Sequence, residues 1–306
     1  MGMDHVTTDR FEGYLLGLAL GDALGARYEG GLAERLLWSF IASTTGGRVR
    51  WTDDTQMSVD IAESLLAKGG LDADDLALRF ARSYRWTRGY GPSAAKVLKR
   101  IGRGADWRQV NRLVHPAGSF GNGAAMRAPV IGLYFSSRQE ELAAAARLSA
   151  RITHAHPLGM EGAVLVASAT ALGVASWQPR ALLRRAAETC ALPPFIARLK
   201  IADGWMATGD EPAPATVRES LGNGVAASES CVTAVYLAVR FMRRPFEAMH
   251  AFIVECGGDV DTIGAMAGAI WGAANGARKL PALALVKLEQ RERLTSLAVA
   301  LRERSG

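Results

Sequence analysis

Two short segments carry enough oxygen ligands to do chemistry. Thr52-Asp53-Asp54-Thr55-Gln56 offers two carboxylates and two hydroxyls, and Gly257-Gly258-Asp259-Val260-Asp261-Thr262 repeats the form with carboxylates two apart and a threonine. Each stands just before an amphipathic stretch, so each also reads as a helix cap, with Asp53 and Gln56 as a capping-box pair in the first. A cap needs one oxygen, and these segments supply several. If they converge, four carboxylates meet, and their repulsion forces protonation or local unfolding unless a cation neutralises them. Oxygen-only donors without neighbouring His or Cys select hard ions such as Mg²⁺, Mn²⁺ or Ca²⁺ over zinc. A two-ion site is the natural count for this much negative charge. Glu29 is a fifth acid, readable as a ligand-free member of the set or as a solvated surface residue.

Three further segments have weaker chemical content. Gly118-Ser119-Phe120-Gly121-Asn122-Gly123, continuing to Arg127, is a glycine-rich loop entering a helix-like segment. Such loops turn backbone N–H groups toward anions, although a structural turn has the same composition. A turn does not require Phe120, which is free to stack on a base. Thr153-His154-Ala155-His156-Pro157 falls where one helix ends and another begins; its HxH spacing lacks the third nitrogen or sulfur ligand that zinc needs. Arg88-Gly89-Tyr90-Gly91 reads as a loop whose tyrosine lines a cleft.

The elements that must position these groups are helical. Apolar residues recur at three-to-four spacing through Phe11 to Ala26, Met57 to Leu66, Leu76 to Tyr84, Ala94 to Ile101, Glu140 to Ile152 and Gly159 to Ala175. The pattern continues through Pro179 to Ala191, Pro194 to Met206, Ala227 to Met242, Pro245 to Cys256, Ile263 to Ala277, Pro281 to Val286 and Arg291 to Arg302. There is no run of alternating β-branched residues, so the class is all-α, and no linker or repeat divides residues 1–306 into more than one domain. Gly and Pro mark loops near 44–50, 86–93, 114–123, 208–216 and 221–224. Glycine also occurs inside helices, at Gly17, Gly21 and Gly25 and at Gly264, Gly268, Gly272 and Gly276, each set four apart. Each costs about 1 kcal/mol relative to Ala, and a spacing of four stacks them on one face. That pattern predicts two helices whose backbones pack very closely. Asp22 and Glu29 flank the first stripe, and Asp259 and Asp261 the second.

Composition narrows the class. With 49% apolar and 22% charged residues, the chain is a globular protein with a substantial core. Its longest uncharged runs, Gly162 to Pro179 and Thr262 to Ala277, fall short of the ~20 residues of a membrane span. The N-terminus has neither a basic start nor an apolar h-region, so a cytoplasmic, membrane-independent protein is expected. Three scattered cysteines, Cys190, Cys231 and Cys256, fit core thiols and neither a disulfide framework nor a zinc site. The net charge of +6 lies on helix faces such as Arg180 to Arg185, without the aromatic interleaving of single-stranded nucleic-acid binders.

In order along the chain, the segments together resemble the ADP-ribosylglycohydrolase family, which includes the dinitrogenase-reductase-activating glycohydrolases. The stretches that carry the resemblance are Gly17 to Gly25 with Glu29, Trp51 to Met57, Gly118 to Arg127, Ile152 to His154, Leu221 to Gly224 with Glu229 and Ser230, and Gly257 to Gly276. The resemblance implies a single all-α domain holding two Mg²⁺ ions, or Mn²⁺, in a cleft. Thr52, Asp53, Asp54, Asp259, Asp261 and Thr262 would be the metal ligands, and Asp53, Asp54 and Asp261 with Glu29 the catalytic set. Glu29 would sit on a movable segment beside the metals. Gly118, Ser119, Gly121 and Asn122 would hold the pyrophosphate, Phe120 would face adenine, and His154 would lie near the phosphate and distal ribose. Tyr90 and Val225 would complete the substrate contacts. The expected partner is ADP-ribose or an ADP-ribosylated protein, bound by a monomer.

Within that family, Arg88 to Gly91, Gly118 to Gly123 and Ser149 to Ala155 look more like the branch acting on serine-linked, polymeric or O-acetylated ADP-ribose than the arginine-directed branch. One departure stands out: Val114, His115, Pro116 and Ala117 provide no second aromatic for an adenine sandwich. The expected reaction is metal-dependent hydrolysis at C1 of the distal ribose, with Glu29 as general base. The alternatives are an arginine-linked hydrolase, a non-catalytic ADP-ribose reader, and a metal-dependent phosphohydrolase that cuts the pyrophosphate instead.

Overall fold

The computed structural model describes residues 8–28, 42–44 and 46–305, so Glu29 lies outside the described residues. Among these, the helices in chain order are α1 (Thr8–Gly25), α2 (Asp53–Lys68), α3 (Ala73–Ser83), α4 (Pro92–Ile101), α5 (Trp107–Val114) and α6 (Pro129–Tyr134). There follow α7 (Gln139–Arg151), α8 (Pro157–Val174), α9 (Pro179–Ala187), α10 (Pro193–Thr208) and α11 (Pro214–Leu221). The last five are α12 (Ala227–Arg240), α13 (Phe246–Cys256), α14 (Val260–Asn275), α15 (Ala282–Val286) and α16 (Arg291–Arg304). The described residues contain isolated bridges but no named strand, as the all-α reading expects.

The glycine stripes explain the centre of the molecule. A Cβ built on Gly21 would overlap the carbonyl oxygen of Gly264, one on Gly17 that of Gly268, and one on Gly272 that of Gly13. Gly25 repeats the contact one turn on, where its Cβ would lie 2.6 Å from the Asp261 Cα. The backbones of α1 and α14 therefore touch along their length, which no other residue type permits. This contact sets Asp22 of α1 and Asp261 of α14, both buried, beside the same end of the helix pair. Helix α8 passes the composition and length test for a membrane span, but 83% of that window is buried inside the fold, so it is a core helix here.

The structure extends the sequence reading in two respects. Helices α2 and α14 begin at Asp53 and Val260, three to four residues before the periodic apolar pattern, because their first turns are polar and face the site. Helices α5, α6 and α11 were not anticipated. Helix α6 is a fully buried six-residue segment with no polar face to create a period, while α5 and α11 last eight residues each.

Candidate active site

The N-terminus of α2 forms one wall of the site. Thr52 caps this helix, its side chain accepting from the Asp54 N–H at 3.3 Å. Asp22, fully buried, accepts the Thr52 N–H at 2.9 and 3.0 Å, the Thr55 N–H at 3.1 Å and the Thr55 hydroxyl at 2.5 Å. Burial raises the Asp22 carboxyl to about 6, against the pull of these donors. The expected capping box is not formed. The helix is capped one residue earlier, by Thr52, so Gln56 falls at the fourth helical position, past the one such a box uses, and its amide instead donates to Asp60 at 3.1 Å.

The entry to α2 is clamped from outside. Arg88 donates through Nη1 to the Trp51 carbonyl at 2.7 Å and forms a paired contact with Glu289, at 2.7 Å to Oε2 and 2.9 Å to Oε1. Its guanidinium lies 3.7 Å from the Trp51 ring centroid, and the Trp51 indole N–H donates to the Glu289 carbonyl at 3.2 Å. Backbone bonds from Val49 to Lys287 (2.6 Å) and from Glu289 to Val49 (3.0 Å) tie this C-terminal segment to the residues before Thr52.

The N-terminus of α14 forms the opposite wall by different means. Gly258 has φ +80°, and a Cβ there would overlap the Asn223 carbonyl oxygen, which accepts the Asp259 N–H at 2.9 Å. The Asp259 side chain makes no cap bond. It accepts from the Asn122 amide at 2.6 Å, whose second N–H goes to Ser230 at 2.9 Å. Asp261 accepts the Thr262 N–H at 2.8 Å, and the Thr262 hydroxyl donates to Asp54 at 3.5 Å, joining the two walls.

The glycine-rich loop closes the third side. Gly118 has φ +82°, and a Cβ there would overlap the His156 nitrogen. The loop pairs with the segment before α12: Asn122 N–H donates to the Val225 carbonyl at 2.9 Å, and Ala227 N–H to the Phe120 carbonyl at 3.0 Å. Phe120 and Val225 are exposed at the rim. The edge-on partner of Phe120 is His156, from the start of α8, with centroids 6.0 Å apart. His154 is buried behind the loop, and burial with the charge of Arg127 depresses its imidazole to about 3.

These walls enclose a cleft of about 280 Å³. Asp53, Asp54, Asp259, Asp261 and Thr262 line one side, and Ser119, Gly121, Asn122, His154 and Val225 the other. Four expected residues are not on its surface, and one of them, Phe120, is exposed to solvent beside it. Thr52 is buried as the cap, Gly118 is buried against the His156 backbone, and Tyr90 is turned into the wall against Tyr84 at 4.9 Å. It is Gly89 and Gly91, on either side of Tyr90, that face the cleft. Asn122 lines it, yet its amide is engaged by Asp259 and Ser230. Sequence reasoning passed over Asp22 and Arg127 as functional supports; their signals were a carboxylate inside a glycine-striped helix and an arginine ending the glycine loop.

The donor set can be tested against a divalent cation. Four carboxylates and the Thr262 hydroxyl face one cleft, with no imidazole or thiol among them, which is the chemistry of a hard cation. Among the described residues no three His, Cys, Asp or Glu side chains are gathered tightly enough to form a ready-made cluster. Like charges hold such carboxylates apart, and the two helix N-termini offset part of their charge. The donor types fit a divalent cation.

Comparison with known proteins agrees with this geometry. The chain is 36% identical to ADP-ribosylhydrolase ARH3 of Mus musculus, with 89% of this chain and 85% of that protein covered. It is 34% identical to ADP-ribosylhydrolase ARH3 of Gallus gallus, over 89% and 87%. A solved structure described as an ADP-ribosylglycohydrolase-related protein complex superposes with a TM-score of 0.74 at 29% identity, covering 98% of this chain and 99% of that one. Residues 3–306 match the family description ADP-ribosylglycohydrolase, and with the acidic helix N-termini and glycine loop in one cleft, the chain belongs to the ADP-ribosylglycohydrolase family.

Proposed function

We propose that the protein hydrolyses the glycosidic bond between C1 of the distal ribose of ADP-ribose and a protein side chain or small acceptor, with O-linked substrates, serine-linked or O-acetylated, preferred. The observation that carries this reading is the convergence of Asp53, Asp54, Asp259 and Asp261 with the glycine-rich loop in one cleft. The linkage preference is supported by the motif residues around Arg88, Gly118 and Ser149. The reading includes two Mg²⁺ ions or Mn²⁺ in their place, a monomer, and a cytoplasmic setting.

Asp53, Asp54, Asp259, Asp261 and Thr262 would hold the ions from the cleft surface, and Thr52, buried as the cap, would join them by turning its hydroxyl away from the Asp54 N–H. When bound, these supply Lewis acidity that orients the ribose hydroxyls and makes a nearby water more acidic. The chain's own groups do the rest. Ser119 and the backbone of Gly121 grip the pyrophosphate, Phe120 and Val225 offer apolar surface at the rim, and His154 meets a phosphate or ribose oxygen. Glu29, the acid not consumed as a ligand, takes the proton of the attacking water.

The test is incubation with serine-linked, arginine-linked and O-acetyl ADP-ribose, each with Mg²⁺ and with EDTA. Free ADP-ribose from the O-linked substrates, abolished by EDTA, is expected. AMP with ribose phosphate would point to pyrophosphate cleavage, binding without product to a reader, and activity undiminished by EDTA would remove the metals. Glu29→Gln is expected to bind ADP-ribose and lose turnover.

A further inference from the structure

Arg127 ends the segment that begins with the glycine loop, and it is completely buried. Its Nη1 donates to the Gly123 carbonyl at 2.9 Å; its Nη2 donates to the Ser149 carbonyl at 3.1 Å and to the Thr153 hydroxyl oxygen at 2.9 Å. The guanidinium lies 4.7 Å from the Phe80 ring centroid. Burial lowers its pKa to about 9, with Asp53, Tyr90 and Asp60 opposing the shift, so it remains a cation at neutral pH. A guanidinium has donors and no acceptor. Toward Arg127, therefore, Thr153 can only accept.

That fixes where the Thr153 proton goes. The hydroxyl lies 2.8 Å from His154 Nδ1, and among the described residues no other acceptor takes its proton. A buried hydroxyl that donated to nothing would forfeit a hydrogen bond, so Thr153 donates to Nδ1. Nδ1 is then the bare nitrogen, and the ring proton sits on Nε2. Nε2 faces the glycine loop: a Cβ built on Gly123 would lie 3.0 Å from it and one on Gly121 3.5 Å. The missing side chains leave that edge of the ring open to the cleft that His154 lines. The groups whose charge bears on the ring are Arg127 and His115, and both act with burial against a second proton.

We infer that Arg127, acting through Thr153, is a positioning residue that locks His154 as a neutral Nε2–H donor, offered to an anionic or hydroxyl oxygen in the cleft and unable to serve as proton acceptor. Only the identity of that oxygen, a phosphate or ribose oxygen of ADP-ribose, rests on the proposed function. The lock removes His154 from the candidates for general base. It also couples the loop to the ring, because the same guanidinium holds the Gly123 carbonyl.

Nitrogen NMR of the imidazole rings tests the lock without metal or ligand, with the His154 signals assigned by their loss in His154→Asn. In the wild-type protein His154 is expected to carry its proton on Nε2 and to show no titration between about pH 5 and pH 8. Thr153→Ser keeps the hydroxyl and is expected to keep this signature. Thr153→Val removes it and is expected to populate the Nδ1–H form, while weakening ADP-ribose binding about tenfold by calorimetry. A wild-type ring protonated on Nδ1, a ring that titrates in that range, or a Thr153→Val signature identical to wild type in a folded protein would overturn the lock. Because the tautomer is read in the free protein, it stands or falls separately from whether ADP-ribose is the substrate.

Discussion

The two acidic helix starts look alike as sequence and are held in opposite ways. At α2 the protein grips the backbone: a buried carboxylate, Asp22, accepts the N–H groups of Thr52 and Thr55, leaving the side chains of Asp53 and Asp54 turned to the cleft. At α14 no carboxylate holds the backbone, whose Asp259 N–H goes to the Asn223 carbonyl, and the protein grips a side chain instead, with the Asn122 amide on the Asp259 carboxylate. Buried charge is thus concentrated under α2, where Asp22, Asp60 and Arg127 all lie, while the start of α14 is served by neutral groups, the Asn122 amide and the Asn223 carbonyl. A charged support fixes the helix frame independently of any ligand. An amide on a carboxylate oxygen instead shares that oxygen with whatever cation arrives.

The contact common to both walls should give the largest effect. Gly21→Val would drive a side chain into the Gly264 carbonyl where α1 and α14 meet. A loss of about 3 kcal/mol or more is expected, because neither backbone can withdraw without moving Asp22 or Asp261. A thermal melt followed by circular dichroism that matches wild type would disprove the close packing on which the comparison depends.

The clamp on the α2 side comes next. Glu289→Gln leaves the buried Arg88 without its counter-charge while keeping the shape, and a loss of about 3 kcal/mol in urea unfolding is expected. Removing both partners, as Arg88→Met with Glu289→Leu, is expected to recover part of that loss, since no charge is then stranded. If the double variant is no better than the single one, the ion pair itself is not what holds Trp51.

Asp60 lies two turns into α2, accepting from Gln56 at 3.1 Å and from the Ser83 hydroxyl, and burial raises its carboxyl from 3.8 to about 7. The folded chain therefore keeps a proton that the unfolded chain has released. Its contribution to stability is fully present below about pH 4 and is lost as pH rises through about 7. Asn at this position can accept from Gln56 and donate to Ser83 without a charge. Asp60→Asn is expected to match wild type near pH 4 and to exceed it by on the order of 2 kcal/mol at pH 8. Parallel stability curves across that range would show that α2 does not sit on a buried charge.

How much of this was legible in the sequence follows the same division. The α1–α14 contact could be read because glycines four apart have a packing explanation, and the acidic starts because carboxylates and threonines recur in one form. The supports were harder to see. Asp22 resembles any acid in a helix until its three donor groups arrive from residues 30 and more positions away. The engagement of Asn122 with Asp259, 137 positions on, has no local signature, and Tyr90 inside the wall looks the same in sequence as a tyrosine facing a cleft. Local pattern announces what lines the cleft, while long-range hydrogen bonds decide what holds it.

The smallest expected effects discriminate best between the two supports. Asp22→Asn retains one acceptor oxygen and points an NH₂ at donors, so the Thr52 or Thr55 group is left without a partner, at about 2 kcal/mol. Because the α2 frame itself is then displaced, added Mn²⁺ should restore little of that stability. Asn122→Ala removes a single donor from Asp259, at about 1–2 kcal/mol. There a cation that takes the freed carboxylate oxygen replaces the lost bond, so the rise in melting temperature on adding Mn²⁺ should be larger than in wild type. The two variants thus differ in their response to the same ion, with a larger shift than wild type for Asn122→Ala and no larger one for Asp22→Asn. Equal Mn²⁺-induced shifts in the two melts would mean that backbone support and side-chain support are interchangeable, and the distinction between the walls would fail.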